Sequence, residues 1–105
     1  MSQVRISSLL TIPPEVELFA AHEGVAPYLH EVIMMTNRVF PNCRISLLVE
    51  DDPEIADDRH IVLEAKTNME VAEALHAEYQ WHEGLFAHCP APLASVFRLG
   101  LEIAP

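Results

Sequence analysis

The sequence predicts an α+β domain. Its expected form is a two-layer sandwich of the ferredoxin-like βαββαβ kind, with an antiparallel sheet and two helices on one face. Three observations predict it. Residues 26–40 and 68–89 carry helical periodicity. Residues 15–21, 44–50, 59–66 and 96–103 alternate apolar and polar side chains. In chain order these segments read β-α-β-β-α-β, which right-handed crossovers fold into one sheet. Such a pattern specifies an architecture and no activity.

The first stretch, 1–13, alternates Val4, Ile6, Ser8, Leu10 and Ile12. A segment this apolar is expected as an extra edge strand or a dimer arm, with 14–105 forming the single domain. Next, Val16, Leu18 and Ala20 alternate with Glu15, Glu17 and Phe19, which suits a strand. A helix opening at Pro14 is the alternative, because Ala and Glu favour helices and Pro suits the first turn. His22-Glu23-Gly24 is a turn. From Ala26 the period becomes helical, with Leu29, Val32, Ile33, Thr36 and Phe40 on one face, and Pro41-Asn42 ends the helix.

Ile45, Leu47 and Val49 form the inner side of the next strand. The polar loop 51–58 (DDPEIADD) follows, and then Ile61, Leu63 and Ala65 face inward from the strand after it. Thr67 and Glu70 match a capping box for the long helix. At 100° per residue, Val71, Ala72, Leu75, Tyr79, His82, Phe86 and Cys89 share an apolar face expected to pack on the core. Pro90 and Pro92 stop the helix. Phe97, Leu99, Leu101 and Ile103 alternate as the last strand.

Charge and composition exclude several functions. The net charge is −10, from six basic and sixteen acidic residues. That sign repels phosphate backbones, and the basic residues form no patch, so no nucleic-acid partner is expected. No apolar run approaches the ~20 residues of a membrane span, so no membrane partner is expected and the chain reads as soluble and cytoplasmic. The two cysteines, Cys43 and Cys89, lie in no zinc spacing and read as free thiols. Three widely spaced glycines make no phosphate loop, and no cofactor is predicted.

Few residues suggest chemistry. His82 interrupts the apolar face of the long helix, and Glu78 precedes it by four positions, within side-chain reach. Such a pair could act as a general acid/base, with Tyr79 or His60 nearby. No nucleophile is placed beside it. Trp81 suits a pocket wall or an interface. His88 and Cys89 are two metal-capable groups at the helix end, without a third or fourth ligand. The loop 51–58 lacks the ligand spacing and glycine of an EF-hand, and reads as a solvated tip with weak calcium binding or a basic partner as the alternative.

Met34 and Met35 form a polarisable pair suited to an adaptable contact. Phe19, Leu48 and Val62 form an apolar group on the outer sheet face, ringed by charge, which a second subunit would cover. The expected function is therefore a small acidic, non-catalytic binding or regulatory module that acts through protein contacts. Its expected partners are a second copy of itself, as a homodimer, or another protein. The alternative is a small enzyme or ligand-binding protein using His82 and Glu78 in a helix–sheet cleft.

Overall fold

Pro14 opens a helix, and that single difference redirects the fold. A computed structural model describes residues 12–104. Helix α1 spans Pro14–Glu23. Pro14 needs no N–H partner in the first turn, the Pro13 carbonyl accepts from the N–H groups of Val16 and Glu17, and Glu15 and Glu17 complement the dipole. Gly24 closes the helix at φ 77°, a left-handed conformation that costs glycine little. Val16 and Ala20, four apart, are buried, while Leu18 is exposed. Positions 16 and 20 satisfy both a period of two and a period of 3.6, so alternation alone misreads the segment.

The other elements are α2 (Ala26–Val39), β1 (Arg44–Asp51), β2 (Arg59–Thr67), α3 (Val71–His88), the single turn α4 (Ala91–Ala94) and β3 (Phe97–Ile103). The sheet described has three strands in the order β1-β2-β3 and is mixed. β1 and β2 form an antiparallel hairpin with Leu47 opposite Leu63, and β3 runs parallel to β2 with Leu99 opposite Leu63. The ferredoxin-like antiparallel sheet is thus corrected. In that pattern the first strand would lie between the last strand and the hairpin. With 15–21 helical, β3 takes the place beside β2, and α3 with α4 supplies the long crossover that parallel neighbours need. The predicted N-terminal strand, 1–13, falls outside the described residues except for Ile12 and Pro13.

The inner sheet face meets the helices. Ile45, Leu47, Ile61, Leu63, Ala65 and Phe97 share one core cluster with Val16, Ala20, Leu29, Val32, Ile33 and Trp81. Every residue assigned to the inner face of α2, including Thr36 and Phe40, is buried. Helices α2 and α3 run antiparallel: Met35 lies against Gly84, and Thr36 meets Trp81. The Trp81 indole N–H donates to Thr36 Oγ1 over 2.8 Å, and the Thr36 hydroxyl donates to the Val32 carbonyl over 2.8 Å. This chain of two bonds satisfies a polar atom that burial would otherwise penalise. A Cβ on Gly84 would lie 2.8 Å from Met35 Cγ and Sδ, so glycine there permits the close approach.

Helix α3 also departs from expectation. Its buried residues are Ala74, Ala77, Trp81 and Leu85. Of the seven assigned to its core face, only Cys89, the residue that ends the helix, is buried. The capping box does not form either. Thr67 is the last residue of β2, its hydroxyl accepts from the Met69 N–H, and Glu70 is the N-cap without a side-chain cap bond.

Candidate interaction surface

Helix α3 carries two apolar arcs. One holds Ala74, Ala77, Trp81 and Leu85 and packs into the core. The other holds Val71, Leu75, Tyr79 and Phe86, which are 54–63% exposed, with His82 exposed among them. Four large apolar side chains aligned on one exposed helix face form a contiguous patch, unlike apolar residues scattered singly on a surface. By helical position Glu83 and His76 flank the patch on one side and Glu78 on the other, and α3 contains no lysine or arginine. Leu75, Tyr79, His82 and Phe86 step by four, three and four residues, the spacing of a coiled-coil seam.

The sequence-predicted residues distribute across this geometry as follows. His82 and Tyr79 stand together on the exposed arc, and Glu78 is half-buried at its edge. No hydrogen bond joins Glu78 to His82 among the described residues, and the principal cavities lined by described residues include none of these three. Trp81 lies wholly in the core, with the His82 ring packed edge-on against it at 5.1 Å and 86°.

Met34 is exposed and Met35 is buried against Gly84, so the two do not form one contact surface. Phe19 belongs to α1 and packs partly on the core, away from Leu48 and Val62 on the outer sheet face. Val62 is buried there, and its Cγ1 would lie 3.3 Å from a Cβ at Gly100, so a small residue on β3 gives it room.

The helix end is occupied by other bonds. An Arg38 N–H donates to His88 Nε2 over 3.3 Å, and His88 Nδ1 lies 3.9 Å from a Glu31 carboxylate oxygen. Burial pushes the Cys89 thiol above its usual range and keeps it protonated. Neither thiol is bridged. Beside the start of α3, an open groove of about 530 Å³ runs between Val39, Pro41, Met69 and Ala72, with Arg38 and Glu73 at its rim. No described helix is long and apolar enough to cross a membrane.

Sequence reasoning found the residues of the exposed arc and assigned them to the wrong side. It missed Ala74, Ala77 and Gly84 as the core-facing set. The available signal was their size: small residues spaced three and seven apart allow a neighbouring helix to approach closely. No protein-family model, curated protein or solved structure matches this chain.

Proposed function

We propose that the chain is a non-catalytic protein-interaction module whose recognition surface is the exposed arc of α3, and that the arc packs against the same arc of a second copy. The observation that carries this reading is the row Val71, Leu75, Tyr79 and Phe86 standing in solvent on a helix already anchored by its opposite side. An antiparallel pair about a twofold axis near residues 80 and 81 sets Leu75 opposite Phe86 of the copy, and Tyr79 opposite His82. His76 then faces Glu83 across the same axis. The surface is thus self-complementary, as an isologous interface requires. Anchoring by Trp81 and Leu85 makes the helix rigid before association, so little ordering cost is added on binding. Two unbridged thiols suit a reducing compartment such as the cytoplasm.

The net charge of −10 opposes pairing at low ionic strength. Salt screens that repulsion, so the dimer tightens as salt is added. Sedimentation velocity tests the reading: the wild type should sediment as twice 11.8 kDa at high salt. Leu75→Glu and Phe86→Glu should each restore the monomer without loss of helical circular dichroism. A wild type that stays monomeric at high concentration and high salt removes self-association. The arc would then be assigned to a different protein carrying a basic amphipathic helix, as the acidic border favours.

A further inference from the structure

A buried histidine, His60, lies beside the β1–β2 loop, where Asp52 and Pro53 border a cavity with it, Val62 and Arg98. His60 is the second residue of β2, paired with Glu50 of β1. It is only 8% exposed, and neither ring nitrogen has a hydrogen-bond partner among the described residues. Buried imidazole nitrogens are expected to be satisfied, and leaving both orphaned costs free energy. A carboxylate oxygen of Asp58 lies 3.2 Å from Nε2 without meeting hydrogen-bond geometry. One ligand atom each from Asp52, Asp58 and His60 falls within 4.8 Å of the others.

We propose that Asp52, Asp58 and His60 bind a divalent transition-metal ion, with zinc the ion the donor set suits best. Two ligands about 2.1 Å from one ion, at tetrahedral or octahedral angles, lie about 3.0–3.4 Å apart, and the Asp58–His60 separation falls in that window. A single imidazole with two carboxylates favours zinc, iron or manganese over calcium or magnesium, which prefer oxygen alone.

The loop holds the carboxylates in place. The Asp52 N–H donates to the Asp58 carbonyl over 2.7 Å and closes the loop. One Asp52 carboxylate oxygen accepts from the N–H groups of Glu54 and Ile55 at 2.8 and 3.2 Å, which orients the group and leaves its other oxygen for a ligand role. Asp57 adopts φ 61°, turning the chain so that Asp58 doubles back toward His60. Arg59, the nearest cation in sequence, is drawn off by Asp51, with Nε 2.6 Å from its carboxylate. Three protein ligands leave a coordination position open, and two cavities provide access. One of about 280 Å³ is bordered by Asp52, His60 and Arg98, and one of about 430 Å³ by Asp58 and His22.

The site is independent of the α3 surface, so either reading stands if the other fails. Calorimetric titration of the full chain with zinc chloride tests it. The expected result is one zinc ion per chain, with binding lost in Asp58→Asn and His60→Gln and unchanged when His76, His82 and His88 are all replaced by alanine. Asp58 lies outside the core, so its variant remains informative if His60→Gln fails to fold. On the wild type, the His60 ring nitrogen resonance should shift on zinc addition while the His82 resonance stays in place. The proposal is overturned by absence of zinc binding, by binding that survives Asp58→Asn, or by loss of binding in the triple variant, which would mark it as adventitious capture by surface histidines.

Discussion

Helices α2 and α3 pack against each other, yet they relate to solvent in different ways. In α2 most of the large apolar residues are buried, Leu29, Val32, Ile33 and Met35 with Phe40 at the C-cap, and Met34 alone among them stands in solvent. In α3 they gather on two sides, and the side with the longer row of large residues faces water. A helix with one apolar arc has one way to sit on a core. A helix with two arcs can present either, and the choice falls to whichever fits its neighbours. Here α2 presents Met35 and Thr36, which require a small residue and an indole opposite. Only the Ala74–Ala77–Trp81–Gly84–Leu85 side supplies both.

Truncating each arc of α3 in turn separates what the two sides do. Trp81→Ala should cost about 3–5 kcal/mol in urea unfolding, because it opens a large cavity and orphans the Thr36 bond. Phe86→Ala, a comparable deletion on the same helix, should change monomer stability by about 0.5 kcal/mol or less. Equal losses would mean that the outer arc is buried after all.

A second cut isolates the polar link between the helices. Thr36→Val keeps the shape and removes the acceptor, leaving the indole N–H unpaired in the core. A loss of about 1–3 kcal/mol is expected. An unchanged midpoint would show that the indole finds another acceptor.

The close approach of the two helices can be tested by a cycle. Gly84→Val forces Met35 aside and should cost about 1–3 kcal/mol, while in a Met35→Ala background the same change should cost less by about 1 kcal/mol. Additive losses would mean that the helices separate freely.

The smallest expected effect concerns the thiol beyond the end of α3. Burial raises the Cys89 thiol above its ordinary value of 9.0, so the folded state holds the proton more tightly than the unfolded chain does. The stabilisation is complete below 9.0 and is lost as pH rises through the folded value. Stability of the wild type should therefore fall in alkaline solution more than that of Cys89→Ala. Half-exposed Cys43 should react with a thiol reagent before Cys89 does.

How much of this was legible depends on how many meanings a residue pattern has. The β1–β2 hairpin could be read directly, because Ile45, Leu47, Ile61 and Leu63 alternate with no competing helical period. Residues 14–23 were ambiguous because Val16 and Ala20 serve either period, and Pro14 tipped the balance through its missing N–H. The loop 51–58 was legible as acidic. That it lies beside His60 was not, since the two carboxylates are six residues apart and meet only when the Asp52 N–H bonds to the Asp58 carbonyl.

Read alone, the residues specified the long helices and strands after residue 25, the inner faces of α2 and the hairpin, and the acidic net charge, but not the short turn α4. These follow from local periodicity and summed charge, which need no partner to define them. Packing between distant segments settled that β3 pairs in parallel beside β2, that α3 buries its small-residue side, and that His60 lies near Asp52 and Asp58. Each of those depends on which surfaces fit together at contact distance, and packing geometry between distant segments is not written in the period of any one of them.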